Sequence, residues 1–478
     1  MTSANRSIAR TGGEGGSSQM NIPRLTPEEK EQLKQDALRF IIPHFASNEE
    51  LAKGPKIFTR GEGCYLYDLE GKRYLDTFAS LLTTICGHQR PEVAEAIRQQ
   101  MEQLEFFPNY VDTFTLPLIE LARKLAEIMP GDLAVSFFVN SGSEANETAI
   151  KMARQFHRER GEPGRWKVVA RRNSYHATTL GGTSATGLAW FREFFEPLIP
   201  GHIFAPPASC HNCELDREPE TCGLACLEAM EKLIAWEGPE SISAVIMDPI
   251  PGSNTGYPLP PPGYLQGVRE LCDKHGILLI FDEVQTGFGK TGKWFACEHW
   301  DVVPDIMTIG KGFSGGYTPL AATVTTPKVA EQFRKGPGSE FRSGGTFGGH
   351  TIACAATLAN IRFIEENNLV ERAAKLGEYL RTELGKLYDE LPIVGDVRGI
   401  GLLWAIELLA DRKTRKKFDP DLRVGSRVRD YCWENGMILR NNGDILVIAP
   451  ALVISQEDVD FMLRLMREAI EKVMANIC

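Results

Sequence analysis

From about residue 91 the chain alternates short apolar runs with longer helical patterns, and this alternation constrains the fold more than any other feature. The apolar runs are Val135–Asn140, Lys167–Arg171, Ala244–Asp248, Leu278–Asp282, Ile306–Ile309 and Leu320–Thr325. Strand–helix alternation of this kind predicts an α/β fold with a mostly parallel sheet covered on both faces. Ligands on such sheets bind beyond the carboxyl ends of the strands.

The flanking segments read differently. Pro27–Arg39 has the pattern of an amphipathic helix, and Gly63–Asp76 reads as a hairpin around a Glu-Gly turn. A long helix from about Thr351 to Glu366 leads out of the sheet lobe. Strand signals at Gly401–Leu408 and Asp444–Ile448 and a last helix, Glu457–Met474, follow. A chain of 478 residues exceeds one simple core. The expected division is a leader (1–25), an N-terminal part of a small α+β domain (26–90), a large domain (91–355) and the C-terminal part of the small domain (356–478). The leader is rich in Ser and Gly and has no apolar core, so it reads as disordered rather than secretory.

A formal net charge of −10 argues against nucleic acid or an anionic membrane as the main partner. No stretch of ~20 apolar residues predicts a membrane span. Eleven cysteines, mostly within apolar segments, fit reduced thiols and a cytoplasmic location.

Two strand ends carry chemistry. Leu278–Asp282 ends on a carboxylate, and Ile306–Ile309 runs into Gly310-Lys311-Gly312. A lysine and an aspartate at the ends of adjacent buried strands are the minimal equipment for pyridoxal phosphate: the amine binds the aldehyde covalently and the carboxylate keeps the ring nitrogen protonated. A desolvated lysine with a lowered pKa suits that role. Asn140-Ser-Gly-Ser-Glu-Ala-Asn-Glu147 reads as a tight turn opening a helix. Gly142 and Ser143 there offer amides and a hydroxyl suited to a phosphate, or simply cap the helix. Tyr175 and His176 lie on a loop crossing the strand ends, where an aromatic ring can stack on a flat ligand or be an ordinary buried tyrosine.

These elements, with Phe281–Gly289, Gly345-Thr-Phe-Gly-Gly-His350 and Val397–Leu402, occur in an order that resembles the class III aminotransferases. The resemblance runs from about residue 35 to the C-terminus. It implies a pyridoxal-phosphate transferase of fold type I, with a mostly parallel seven-stranded sheet in the large domain and a small domain built from both termini. It further implies that Lys311 carries the cofactor and moves a proton, and that Asp282 pairs with the ring nitrogen. Val284 and Tyr175 would cover the two ring faces, with His176 beside them, and Gln285 would reach the ring hydroxyl. Gly142 and Ser143 would hold the phosphate with Thr346 from a second subunit, making a homodimer (or a tetramer of such dimers) the active unit. The implied activity is amino transfer from an ω-amino acid, amine or aminosulfonate to pyruvate or 2-oxoglutarate. An aminomutase or decarboxylating relative on the same scaffold is the alternative.

Two arginines compete for the substrate carboxylate. Arg440 resembles the mobile arginine of the ω-amino-acid and amine branch and is the preferred candidate. Arg398 resembles that of the ornithine-like branch, where it pairs with a glutamate before a proline. Asp248 stands at that position here. Leu82 replaces the aromatic residue many ω-transaminases carry and is expected to reshape the pocket. Finally, residues 209–226 contain Cys210, Cys213, Cys222 and Cys226 in a polar loop. The spacing suits zinc or an iron–sulfur cluster, with free thiols or, against the expected reducing compartment, disulfides as the alternatives.

Overall fold

The computed structural model describes residues 25–477, so nearly all of the leader lies outside the described residues. The chain divides into two compact units. The smaller comprises the described residues to Thr59 together with Asp68–Gly71. Its helix Pro27–Phe40 is opened by a capping box in which Thr26 and Glu29 satisfy each other's backbone amides.

The larger unit is built on a seven-stranded sheet. Its strands in chain order are β1 (Val135–Val139), β2 (Lys167–Arg171), β3 (His202–Ala205), β4 (Ile242–Met247), β5 (Leu278–Asp282), β6 (Ile306–Ile309) and β7 (Ala321–Thr325). Their spatial order is β1-β7-β6-β5-β4-β2-β3. Only β7 runs antiparallel to its neighbours. The fold is therefore the mostly parallel, doubly covered sheet that the alternation predicts.

The core follows from that covering. On one face helix α1 (Gly142–Glu159) buries Ala149, Met152, Ala153 and Phe156 against Val168, Ile246 and Ile280. On the other, helix α2 (Tyr264–His275) packs Leu265, Val268 and Cys272 against Val245 and Leu279. Each central strand is thus apolar on both sides.

Within this unit the two runs of the hairpin expected at Gly63–Asp76 pair, with Tyr65, Leu66 and Tyr67 opposite Leu75, Tyr74 and Arg73. Met437 and Ile438 add to it in parallel beside Leu75 and Asp76. A second sheet contains β8 (Val394–Ile400), β9 (Leu403–Leu408), β10 (Arg440–Asn442) and β11 (Ile445–Ile448), in the order β8-β9-β11-β10. Strands β3, β8 and β10 differ from the strands that the sequence pattern predicts. Strand β3 is short and opens on a histidine, and β8 is interrupted by Gly395, Asp396, Arg398 and Gly399. Strand β10 is the polar edge Arg-Asn-Asn. None carries the apolar run on which recognition rests.

Candidate active site

The carboxyl ends of β5 and β6 lie side by side, because Asp282 is in register with Thr308. Asp282 is 6% exposed and its carboxylate is held from three directions. Oδ2 accepts from Asn146 Nδ2 at 2.8 Å and from His176 Nδ1 at 2.9 Å, and Oδ1 accepts the Val284 amide at 3.0 Å. His176 Nε2 is buried without a hydrogen-bond partner. Asn146 is itself fixed. It donates to the His176 carbonyl at 2.6 Å and accepts from Thr308 Oγ1 at 2.7 Å.

Asn146 is the residue that motif reading passed over. It lies one turn into α1 and is completely buried. A buried asparagine on an otherwise Ala-rich helix face was the available signal, since such a side chain must find partners.

Lys311 follows β6 in a short turn and adopts a left-handed backbone, φ 47°. Non-glycine residues seldom adopt this conformation, and where they do the surroundings impose it. Burial lowers its pKa to about 8; the Asp282 carboxylate pulls it back up and the Arg440 charge pushes it further down. Asn360 holds the turn, donating from Nδ2 to the carbonyls of Gly312 and Phe313 at 3.0 and 3.1 Å.

The start of α1 faces the same place. Ser141 caps the helix by accepting the Glu144 amide at 3.2 Å, which leaves the earlier amides free to bind an anion. A Cβ on Gly142 would stand 2.8 Å from Val284 Cγ1, so only glycine lets the helix end approach that side chain. Ser143 Oγ accepts the Thr178 amide at 3.1 Å, tying the helix end to the loop of Tyr175 and His176. The Tyr175 ring contacts Phe191, 4.8 Å between centroids. Gln285 Oε1 accepts the Ser253 amide at 3.2 Å. Thr346 is exposed.

The two candidate arginines differ sharply. Arg398 is fully engaged. It donates to Asp396 and Glu407 at 2.5 and 2.8 Å, and to the carbonyls of Gly256 and Thr255 at 2.7 and 3.0 Å. Burial alone would raise the pKa of Glu407, but His211 and Arg398 hold it at about 2. Asp248 is not its partner: Asp248 pairs with the buried Arg171 at 2.7 Å. The Arg440 side chain has no hydrogen bond or ion pair among the described residues. Its guanidinium lies 5.2 Å from the centroid of the Phe78 ring. Burial lowers its pKa, opposed by Tyr257 and Tyr175. Leu82 is buried with Phe78, Ile250 and Tyr257.

The four cysteines of the insert are free and half-buried. A tetrahedral thiolate site needs its sulfurs within ~4 Å of one another, given metal–sulfur bonds of ~2.3 Å. Among the described residues, the one group of three potential ligands whose donor atoms lie within 4.8 Å is His211, Asp396 and Glu407. No three of Cys210, Cys213, Cys222 and Cys226 meet that distance, although Cys222 and Cys213 lie near enough to Cys210 to add to the upward pKa shift that burial gives it. The polar loop instead docks through His211 to Asp396 and Glu407 (3.5 and 3.3 Å) and through Glu214 to Arg172 (2.5 Å). The His–carboxylate group already contains the Arg398 cation, which disfavours a metal there.

A lysine with a depressed pKa, a clamped aspartate and a helix end open to an anion together fit pyridoxal phosphate, and the fold and site define a fold-type-I transferase that uses it. Known proteins narrow the class. Residues 46–470 match the aminotransferase class-III family. The chain is 39% identical to adenosylmethionine-8-amino-7-oxononanoate aminotransferase of Nitratidesulfovibrio vulgaris, covering 91% of this chain and 80% of that protein. It is 36% identical to putrescine–pyruvate aminotransferase of Pseudomonas aeruginosa, covering 91% and 95%. An (S)-enantioselective ω-transaminase from Thermomicrobium roseum superposes with a TM-score of 0.89 at 37% identity, over 93% of this chain and 98% of that one. The protein belongs to the class III aminotransferases, pyridoxal-phosphate-dependent enzymes that transfer amino groups. No helix among the described residues is long and apolar enough to cross a membrane.

Proposed function

We propose that the protein moves an amino group from an ω-amino acid, amine or aminosulfonate to pyruvate or 2-oxoglutarate, in two half-reactions through one pocket. Pyridoxal phosphate, when bound, supplies the electron sink that makes the substrate Cα–H acidic. Lys311 Nζ holds the cofactor and then moves the proton on and off substrate Cα. Its pKa of about 8 leaves a substantial neutral fraction near neutral pH. Asp282 orients and charges the ring nitrogen, itself held by Asn146, His176 and the Val284 amide. Gly142 and Ser143 bind the phosphate. Val284 and Tyr175 close the ring faces to water, and Gln285 reaches the ring hydroxyl.

The contrast between the arginines carries the substrate reading. Arg398 is already paired with two carboxylates and two carbonyls, while Arg440 is a desolvated cation without a carboxylate partner among the described residues. We assign substrate-carboxylate binding to Arg440, which can leave the pocket when a substrate lacks a carboxylate. Leu82 shapes the wall beside it. Thr346 reaches the phosphate of a second copy, and a homodimer is the active unit. In support, Tyr110, Val111, Phe114, Leu116 and Phe347 leave a large apolar area exposed in one copy.

The test is a half-reaction. The loaded enzyme is mixed with each of a panel of donors, without acceptor. Loss of the bound cofactor's visible absorbance with stoichiometric release of a keto or aldehyde product is expected. Release of CO₂, or isomerisation of the donor, would instead place the enzyme with the decarboxylating or mutase alternative.

A further inference from the structure

The segment Phe78–Ile85 contains the longest run of left-handed backbone among the described residues. Ala79, Ser80, Leu81 and Leu82 have φ of 44°, 45°, 67° and 64°, a left-handed helical turn of four successive non-glycine residues. L-residues adopt such a turn only where side-chain contacts impose it. Here the latch is the buried carboxylate of Asp76, 3% exposed. Its Oδ1 accepts the Phe78 amide at 3.0 Å, and its Oδ2 accepts the Ser80 amide at 2.6 Å and the Ser80 hydroxyl at 2.9 Å.

This turn touches both ends of the site. Phe78, the residue just before it, presents the ring over which Arg440 lies, and its last residue, Leu82, is buried against Tyr257. Just beyond it, Ile85 packs so close to the Lys311 loop that a Cβ on Gly312 would come within 2.9 Å. A cation over an aromatic face is attracted by the ring quadrupole, more strongly once desolvated. Arg440 is desolvated, and no carboxylate among the described residues competes for it.

We propose that Phe78 is a specificity-determining residue. Its ring, fixed by the Asp76-latched left-handed turn, is the resting place that keeps Arg440 pointed into the pocket for carboxylate-bearing substrates. Asp76 is a positioning residue acting through that turn. This rests on the assignment of Arg440 as carboxylate ligand.

The experiment compares two acceptors, pyruvate and butanal, with one amine donor and the loaded enzyme. The measured quantity is the ratio of their kcat/KM values, which cancels any common loss from weaker folding. Phe78→Leu keeps an apolar side chain but removes the ring. The ratio is expected to fall about tenfold in favour of butanal, mostly through the KM for pyruvate, a size within the ~0.5–2 kcal/mol range of such contacts. Phe78→Tyr keeps the ring and is expected to keep the ratio. An unchanged ratio in Phe78→Leu, or an equal fall in Phe78→Tyr, overturns the proposal. Arg440→Leu separates the two levels. If it collapses the ratio while Phe78→Leu does not, only the role of Phe78 fails. If Arg440→Leu leaves the ratio unchanged, the carboxylate assignment fails and the proposal falls with it.

Discussion

The depressed pKa of Lys311 has a direct kinetic consequence. Only the neutral amine is a nucleophile. With a pKa of about 8, roughly a quarter of the Lys311 amines are neutral at pH 7.5. An ordinary lysine, with a pKa of ~10.4, is only about 0.1% neutral there, so Lys311 gains on the order of 200-fold in nucleophile concentration. Competitive labelling reads this residue by residue. Cofactor-free protein is treated with trace acetic anhydride between pH 6 and 11, and the Lys311 peptide is quantified against fully denatured protein. The expected midpoint lies near 8. The sign of the neighbouring charges supplies a second check. Asp282 raises the pKa of Lys311 and Arg440 lowers it. Asp282→Asn is therefore expected to move the midpoint down, and Arg440→Leu to move it up. A midpoint near 10 would refute the desolvation argument. Opposite shifts in the two variants would refute the electrostatic one.

Three further outcomes are expected. Gly142→Ala places a methyl group 2.8 Å from Val284 Cγ1 and must push the helix end away from the phosphate. At ~1–3 kcal/mol for overpacking, the dissociation constant for pyridoxal phosphate should rise by about 5- to 150-fold, and an unchanged titration of cofactor-free protein would contradict the close approach. Asn146→Leu removes a charge-assisted donor from Asp282 and strands the Thr308 hydroxyl. A stability loss of ~2–4 kcal/mol is expected, measured by chemical denaturation of the cofactor-free protein. Lys290 is completely buried, and burial lowers its pKa to about 7 while it donates to the carbonyls of Ala449 and Pro450. Between pH 7 and 10.4 the unfolded chain binds the proton that the folded one has released, so stability should rise with pH across that window. In Lys290→Met this part of the rise should vanish, and denaturation midpoints at pH 7 and 9 that keep the parent's difference would count against it.

The fold was legible because the central strands are apolar on both faces. Strands β5 and β6 and the helix Thr351–Glu366 lie at the residues read from pattern alone. The pattern failed where a strand is an edge or is broken by glycine and charge, as in β3, β8 and β10. The site divides in the same way. Lys311, Asp282, Gly142 and Ser143 occur in local motifs, where a strand end or helix start already dictates direction. Asn146 shares a motif with Gly142 and Ser143 but, like Asn360 and Asp76, was not legible, because what gives each its meaning is a partner many residues away or an unusual turn.

By itself, then, the sequence determined the doubly covered sheet and the family's chemical equipment, since both depend on short-range order: burial of apolar runs, and side chains carried on strand ends. Only the tertiary structure decided which arginine is free. The motif around Arg440 already favoured it over Arg398, but a motif does not show which side chain is left without a partner. Packing closes Asp396, Glu407 and two carbonyls around Arg398, and leaves Arg440 desolvated over an aromatic ring. The insert was decided in the same way. Its cysteine spacing permits a ligand set, but the observed ties of the loop to the body of the protein are those of His211 and Glu214, and no three of its thiols come within 4.8 Å of one another. Spacing fixes what a loop can reach, and the charges it meets on folding fix where it goes.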